Sequence, residues 1–384
     1  MEISLKKIIF VQDISNAKLM EFKKLIDRGA ELERMNEALH REDTQFVVIY
    51  GRRRIGKSEL IKRIVKARHK AIYFLSDTSS ETVQRVAFSK VAASVIDGFD
   101  KVIYPDWETL FRSFNNQLSE RMLVCLDEFP YLVKSCDVLP SIIQKLLNEK
   151  ILKFDLILCG SSQQLMHGYV LNRQSPLYGL ANEIIKMQPI PAQYISMAME
   201  CDAVQAVEEY AIWGGVPRYW ELRRDYPDKE TAIRKVLLDP QGPLIEEPQR
   251  LLRDDMRDTV QASTLLTIIG NGANKLSEIA NRAGKDSSTI SEPLSKLREL
   301  GYVSREVPFG ESPKKSKKGI YHINDSLLRF HYQFIVPYRS ILELGRMDMV
   351  MQVVLSQLPQ FIGQCWELLC REYVSGNIID GIAY

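Results

Sequence analysis

One segment constrains the fold more than any other, because a short apolar run, a glycine-rich loop and a helix-forming stretch follow one another directly. Residues 46–50 are apolar and β-branched, which is typical of a buried strand. Residues 51–58 read Gly-Arg-Arg-Arg-Ile-Gly-Lys-Ser and match GxxxxGK[ST], and the apolar residues of 59–67 have helical spacing. Such a loop closes its backbone N–H groups around phosphate at a helix N-terminus. The segment therefore predicts a phosphate-binding loop in an α/β sheet.

Each position of this loop has a predicted role in holding a nucleotide. Lys57 is expected to reach the β- and γ-phosphates, and Ser58 is expected to ligate Mg²⁺. The loop alone does not distinguish a kinase from a GTPase or an ATPase. The candidate nucleotide-binding residues are Gly51, Arg52, Arg53, Arg54, Ile55, Gly56, Lys57, Ser58 and Glu59.

An acidic pair further along the chain distinguishes between the classes of P-loop protein. Met122–Leu126 is a second apolar strand, and Asp127 and Glu128 follow it directly. An Asp at this place holds Mg²⁺, and the adjacent Glu suits a base that polarises the attacking water. One more strand, at 71–75, lies between the loop and the pair in the sequence. This combination indicates the catalytic-glutamate class of P-loop ATPases, and it argues against a small-molecule kinase.

Small polar residues follow a third strand, Asp155–Cys159. Ser161 is the preferred candidate for sensing the γ-phosphate or orienting the water, with Ser162 as the alternative. Both serines could instead simply cap the next helix. A fifth strand is expected at 184–187, and the long crossovers predict a parallel sheet with helices on both faces.

Composition limits the number of domains and argues against membrane spans, disulfides and a structural metal. The chain has 384 residues, of which 45% are hydrophobic and 26% charged, which suits a soluble protein of two or three domains. No apolar run reaches the 18 or so residues of a membrane span, so we expect a cytoplasmic protein without a membrane partner. The six cysteines form no CxxC pair and are expected to be reduced. The five histidines lack metal-ligand spacing, so no structural metal is predicted.

The pattern changes at residue 259. Helices are expected at 260–269, 276–283 and 287–300, followed by strands at 302–307 and 319–323, which predicts a winged helix-turn-helix. Residues 259–334 carry 11 basic and 7 acidic side chains. The candidate DNA contacts are Ser288, Thr289, Lys296 and Arg298 on the third helix and Lys314, Lys315, Lys317 and Lys318 at the tip of the wing. Because Glu292 and Glu299 lie on the same helix, a protein contact stays open as the alternative.

Several motifs, in order along the chain, resemble the AAA+-related archaeal and bacterial ATPases that are placed near the STAND signalling ATPases. The resemblance covers roughly residues 25–375. It rests on Ile26–Leu32, Gly51–Ser58, Leu126–Tyr131, Leu158–Ser162, Ser175–Gly179, Trp213–Tyr219, Lys317–Tyr321 and Cys365–Glu372.

The resemblance implies further nucleotide contacts. The stretch that begins at Arg28 resembles the segment near the adenine, although Gly29 stands where the family usually has Glu. Gly215–Pro217 resembles a GxP motif that lies against the nucleotide from a helical subdomain. Pro217 or Arg218 would therefore report whether ADP or ATP is bound.

Two departures from the family pattern limit what the resemblance implies. Leu180 stands where the family tends to have an arginine, so no transition-state arginine is assigned there, and Arg173 is the nearby substitute. A helix at 361–374 resembles the start of a restriction-type nuclease domain of the DUF234 type. No ExK motif follows it, so the chain is expected to lack nuclease activity and to carry a truncated nuclease-like tail.

The predicted fold class is thus a P-loop NTPase parallel sheet with a helical subdomain, then a winged helix-turn-helix domain and a short C-terminal helical piece. The predicted domains are an extension at 1–24, the ATPase domain at 25–194, a helical subdomain and linker at 195–258, the winged helix at 259–334 and the C-terminal segment at 335–384. The predicted function is Mg²⁺-dependent ATP binding and hydrolysis that drives a conformational switch coupled to double-stranded DNA. The alternative is a signalling scaffold that binds ATP or ADP with little turnover and acts through a protein partner. Oligomerisation is left open.

Overall fold

A computed structural model describes residues 26–308, 310–312, 316, 318–375, 377–379 and 382–383. These residues form two units, an N-terminal unit of residues 27–188 and a C-terminal unit that comprises Ile26 and the described residues from Pro189 onward. The predicted extension at 1–24 lies outside the described residues, and so do Lys314, Lys315 and Lys317 of the predicted wing.

A five-stranded parallel sheet organises the N-terminal unit, as the sequence predicts. The strands are β1 (Phe46–Tyr50), β2 (Ala71–Leu75), β3 (Met122–Asp127), β4 (Phe154–Gly160) and β5 (Glu183–Lys186). Their order in the sheet is β2-β3-β4-β1-β5. Strand β4 therefore separates β1, which precedes the glycine-rich loop, from β3, which ends at the acidic pair, and β2 is the edge strand beside β3.

Helices connect these strands and cover the sheet. An aromatic cluster fills the core on one side, where Phe88 makes edge-to-face contacts with Trp107, Phe111 and Phe114 at centroid distances of 5.5–6.0 Å. The helices are Gly29–Leu39, Lys57–Lys66, Glu81–Ala92, Trp107–Gln117, Phe129–Ser135, Leu139–Asn148 and Gln163–Met166, with a 3₁₀ turn at Phe99–Lys101 and a π-helical turn at His167–Leu171.

The first part of the C-terminal unit is helical. A buried ion pair between Glu209 and Arg223, at 2.8 Å, links two of its helices, and Trp213 Nε1 donates to the same carboxylate at 2.8 Å. The elements are a 3₁₀ turn at Ala192–Tyr194, helices Ile195–Met199, Ala203–Trp213, Pro217–Arg224 and Lys229–Ala232, a π-helical turn at Ile233–Leu238 and a helix at Glu247–Asp255.

Three further helices precede a two-stranded antiparallel sheet, in the order that the sequence predicts. The third helix buries Ile290, Leu294 and Leu297, which recur at helical spacing and pack into one core with the strands. The elements are Thr259–Gly270, Leu276–Ala283, Ser287–Glu299, β6 (Val303–Glu306) and β7 (Ile320–Ile323).

The C-terminal helical piece is present, but its main helix is much longer than predicted. The prediction that it begins at Phe361 is wrong, because the helix spans Met347–Val374 and contains Pro359. Buried apolar residues continue on one face through the proline, from Val350 to Cys365, so packing outweighs the lost backbone hydrogen bond. The other elements are Ser326–Phe330, a π-helical turn at His331–Ile335, a 3₁₀ turn at Val336–Tyr338, Arg339–Glu343, and strands β8 (Ile378–Ile379) and β9 (Ile382–Ala383).

None of the helices in the described part of the chain has the length and apolar character that crossing a membrane requires.

Candidate nucleotide-binding site

The glycine-rich loop runs from the end of β1 into the helix Lys57–Lys66. Gly51 has φ 149°, and a Cβ there would lie 2.5 Å from the carbonyl oxygen of Met187. Gly56 precedes the helix with φ 97°, in the left-handed region that glycine adopts without strain. The loop path therefore depends on glycine at both positions, which explains the spacing of the motif.

Lys57 lies inside this loop with 5% of its surface exposed. Its Nζ donates to the carbonyl oxygens of Gly51 and Arg52, both at 2.9 Å. The ammonium group is thus held within the turn of backbone that the sequence assigns to phosphate. Of the other candidates, Arg52 and Ile55 are buried, Arg53, Arg54 and Ser58 are half-buried, and Glu59 is exposed.

The carboxylate of Asp127 lies at the carboxyl end of β3 and is fully buried. Its Oδ2 accepts hydrogen bonds from Ser58 Oγ and from the Tyr73 hydroxyl, both at 2.6 Å. Its Oδ1 accepts from the backbone N–H of Glu128 at 2.9 Å. Burial and the hydrogen bond to Asp127 raise the pKa of Tyr73, so the phenol keeps its proton. The structure therefore brings Ser58 and Asp127 together, as expected from the motifs.

The sequence reasoning missed Tyr73. The sequence does hold one indication of its role. Tyr73 is the polar residue of the apolar strand β2, and the carboxyl end of β2 lies on the same side of the sheet as Asp127. Without the strand order, however, nothing in the sequence placed β2 beside β3.

Ser58 and Asp127 fit a magnesium site. A hydroxyl and a carboxylate are the hard oxygen ligands that Mg²⁺ prefers, and Mg²⁺ commonly takes only one or two protein carboxylates beside substrate phosphates. No group of three or more His, Cys, Asp or Glu residues within the described ranges could form an all-protein metal cage. The pair is thus suited to a metal that arrives with a nucleotide.

Glu128 lies directly before the helix Phe129–Ser135, in a left-handed conformation with φ 54°. Its Oε2 accepts hydrogen bonds from the Ser161 hydroxyl at 2.9 Å and the Ser161 backbone N–H at 3.2 Å. Ser162 instead accepts from the N–H of Leu165 at 3.2 Å and caps the following helix. The two serines therefore have different environments, because the Ser161 hydroxyl bonds the Glu128 carboxylate and the Ser162 hydroxyl caps the following helix.

Arg28 is 4% exposed, and its guanidinium reaches the loop backbone. Nη2 donates to the carbonyl oxygens of Ile55 at 3.1 Å and of Gln188 at 2.8 Å. Nη1 pairs with Glu31 at 3.0 Å. The side chain thus fixes the loop to the segment after β5, while the contact with adenine stays a prediction.

The GxP segment lies in the C-terminal unit. Gly215 accepts a 2.7 Å hydrogen bond from the N–H of Ile190, and a Cβ on Gly215 would lie 2.0 Å from the Ile190 carbonyl oxygen. Pro217 begins the helix Pro217–Arg224. Arg218 pairs with Glu221 at 2.8 Å on the surface. That this segment approaches a nucleotide stays a prediction.

The candidate DNA contacts that the structure describes lie on the surface or close to it. Ser288, Thr289 and Arg298 are exposed on the third helix. Lys296 pairs with Glu299 at 3.6 Å, and the exposed Lys318 pairs with Glu311 at 2.8 Å.

The family of the chain is shown by two comparisons. Residues 25–220 match the model of a family described as an ATPase domain predominantly from Archaea, and the chain belongs to this family. Residues 331–381 match a family of archaeal and bacterial proteins of unknown function. An uncharacterized protein of Methanocaldococcus jannaschii is 31% identical over 356 residues, which cover 91% of this chain and 77% of that protein.

One solved structure supports the fold of this chain. The ORC2 protein of Aeropyrum pernix, solved as ADPNP–ADP complexes, superposes with a TM-score of 0.54 and 11% identity, over 91% of this chain and 98% of that one. This similarity shows the fold alone. RuvB of Thermotoga maritima reaches a TM-score of 0.39 at 16% identity, over 79% of this chain and 93% of that one, which is too low to carry an argument.

Proposed function

We propose that this chain is a Mg²⁺-dependent ATPase that uses ATP binding and hydrolysis to drive a conformational switch. The observation that carries the proposal is the 2.6 Å contact between Ser58 and Asp127, with Glu128 beside it and Ser161 bound to Glu128. These residues stand at the ends of β3 and β4 and at the start of the helix after β1. The phosphate loop, the two proposed Mg²⁺ ligands and the proposed general base thus lie together at the carboxyl-terminal ends of the strands.

Each group has a role that its surroundings support. Lys57 and the loop backbone bind the phosphates. Ser58 and Asp127 would hold Mg²⁺, which would supply positive charge to offset the charge of the phosphates. Glu128 accepts a proton from the attacking water, and Ser161 holds the Glu128 carboxylate in place. Arg28 keeps the loop in position through its bonds to Ile55 and Gln188.

The switch is proposed from the order of the motifs. The ATPase domain would occupy residues 25–194, the helical subdomain 195–258 and the winged helix 259–334. The Gly215–Pro217 segment would respond to the nucleotide, and the response would be passed to the winged helix. The close approach of Gly215 to Ile190 ties the start of this segment to its own unit and supports this role.

Double-stranded DNA is the proposed partner of the winged helix. The exposed hydroxyls of Ser288 and Thr289 and the exposed Arg298 support phosphate or base contacts from the third helix. Lys296 and Lys318 each have a carboxylate neighbour, which lowers the net positive charge of this surface. Binding would accordingly be modest and sensitive to salt.

A second function, of another class, is a signalling scaffold that binds ATP or ADP with little turnover. The observation that favours it is Leu180, a half-buried leucine in the place where an arginine would serve the transition state. Arg173 is exposed and could supply that charge. In the scaffold, the winged helix would contact a protein instead of DNA.

ATP turnover with Mg²⁺ tests the two functions, with and without double-stranded DNA and at low and moderate salt. Lys57→Ala should abolish nucleotide binding, whereas Glu128→Gln should bind ATP and not hydrolyse it. Turnover that DNA raises and salt lowers supports the DNA-coupled switch. Tight binding with slow turnover that DNA does not change supports the scaffold. If Lys57→Ala binds and hydrolyses ATP normally, the site is wrong.

A further inference from the structure

Tyr73 contacts the acidic pair from an element that no motif of the site includes. It lies on the edge strand β2, in register with Cys125 of β3, while Asp127 is in register with Leu75. Tyr73 and Asp127 are thus diagonal neighbours on one face of the sheet, at a separation that a tyrosine can span. The Tyr73 hydroxyl donates to Asp127 Oδ2 at 2.6 Å.

We infer that Tyr73 is a positioning residue for Asp127, holding the carboxylate in the orientation from which it serves the Mg²⁺ site. The inference rests on the proposed function. Because Asp127 is fully buried, protein donors instead of water set the direction of its two oxygens. Hydrogen bonds to an ionised carboxylate are stronger than neutral ones, so each donor matters.

Ser58 cannot perform this task alone. Its hydroxyl bonds the same Oδ2, but it is also the predicted metal ligand, so one oxygen serves two purposes. The Tyr73 hydroxyl comes from a different element and is not a predicted ligand of metal or nucleotide. It therefore supplies orientation that does not depend on Ser58.

The tyrosine ring is itself held in place. Lys62 Nζ lies 5.5 Å from the centre of the ring, on the same helix as Ser58 and one turn further along. The ring thus lies near this helix, while its hydroxyl contacts the end of β3. This arrangement connects the helix after the phosphate loop to Asp127 by a route other than Ser58.

The test is the Mg²⁺ dependence of nucleotide binding by the full chain. Tyr73→Phe keeps the ring and removes the hydroxyl. Tyr104→Phe is the matched control, because it removes another tyrosine hydroxyl of the same unit, which donates to the Phe99 carbonyl at 3.3 Å. The affinity for ADP and for a non-hydrolysable ATP analogue is measured in EDTA and across a range of Mg²⁺ concentrations.

Mg²⁺ should increase nucleotide affinity, and we expect Tyr73→Phe to raise the Mg²⁺ concentration that gives half of this increase by about tenfold or more. A change of this size is typical when a residue that orients a metal ligand is lost. The nucleotide affinity of Tyr73→Phe in EDTA should stay near the wild-type value. Tyr104→Phe should keep both the wild-type nucleotide affinity in EDTA and the wild-type Mg²⁺ requirement. An unchanged Mg²⁺ requirement in Tyr73→Phe overturns the inference, and so does an equal loss of affinity in EDTA, since that shows a merely structural role. If the wild-type protein binds nucleotide without any effect of Mg²⁺, the proposed metal site fails as well.

Discussion

The Ser161 hydroxyl donates a 2.9 Å hydrogen bond to Oε2 of Glu128. The backbone N–H of Ser161 donates to the same oxygen at 3.2 Å. Ser161 directly follows β4 and thus makes two hydrogen bonds to the Glu128 carboxylate. Glu128 also has a left-handed backbone, with φ 54°, which turns the chain into the next helix. Its carboxylate is thus held by a neighbouring strand, at the position proposed for a general base.

The first prediction is that Ser161→Ala lowers kcat for ATP by roughly tenfold and leaves KM nearly unchanged, since the serine acts on the base and not on the bound nucleotide. Steady-state ATP hydrolysis measures both constants. Ser162→Ala is the matched control. It removes a helix cap, so it should cost about 1 kcal/mol of unfolding free energy and leave kcat near the wild-type value. Loss of turnover in Ser162→Ala alone would reverse the assignment of the two serines.

The second prediction concerns Arg28. Arg28→Ala leaves the carbonyl oxygens of Ile55 and Gln188 without their buried donor. We expect it to lower the free energy of unfolding by about 2 kcal/mol and to weaken ATP binding, because the loop loses its attachment. Urea unfolding and nucleotide titration measure the two effects. Arg34→Ala removes the exposed ion pair with Glu183 and should cost less than about 1 kcal/mol. Equal losses in the two variants would contradict the role of Arg28.

The third prediction concerns the close approach of Gly215 to Ile190. A Cβ at this position would lie 2.0 Å from the Ile190 carbonyl oxygen and 2.6 Å from its nitrogen. Gly215→Ala should therefore destabilise the protein by about 3 kcal/mol, since backbone has to move on one side or the other. Gly363→Ala is the control, because Gly363 lies in the long helix with nothing within 4 Å of a Cβ, and it should stabilise by about 0.5–1 kcal/mol. Thermal unfolding distinguishes the two, and a neutral Gly215→Ala would refute the argument.

The fourth prediction is a pH dependence. Burial and nearby Arg339 lower the pKa of His331 to about 4, from an ordinary value of 6.5. Its ring is therefore neutral in the folded state, while the unfolded chain takes up the proton as soon as the pH falls below 6.5. The free energy of unfolding therefore does not depend on His331 well above pH 6.5. It falls progressively as the pH drops from 6.5 to about 4, by about 3 kcal/mol in all. Urea unfolding between pH 4 and 7 should show a smaller slope in His331→Phe. An unchanged slope in His331→Phe would show that other groups cause the pH dependence.

The fifth prediction tests the DNA surface. Arg298→Ala should weaken binding to double-stranded DNA and reduce the slope of log affinity against log salt by about 1, as expected when one phosphate contact is lost. Arg346→Ala removes an exposed arginine outside the predicted interface and should change neither quantity. Fluorescence anisotropy across a salt series measures both. If the wild-type chain binds no DNA at low salt, the third helix is not a DNA-contacting element.

Much of the site could be predicted from the sequence because its signals are local. The loop 51–58 has its own motif, and Asp127 and Glu128 follow a short apolar run that is typical of a buried strand. The helices and strands of 259–323 likewise have regular apolar spacing and glycine ends. In each case neighbours within about ten residues determine the conformation, so no knowledge of the fold is needed.

The long C-terminal helix shows where local signals mislead. The local pattern predicts a helix at 361–374, but the helix begins at Met347 and continues through Pro359. The buried residues on both sides of the proline pack on one face, and this packing free energy exceeds the cost of one missing hydrogen bond.

By itself, the sequence determined the phosphate loop, the acidic pair and the parallel α/β class, because these follow from motif spacing and periodicity. Only the tertiary structure decided which side chains contact them. Arg28 reaches Gln188 across 160 residues of chain, and Tyr73 reaches Asp127 only because β2 pairs with β3. Ser161 bonds Glu128 because β4 lies next to β3 in the sheet. Strand order arises from packing over the whole unit, and no local pattern in the sequence encodes it.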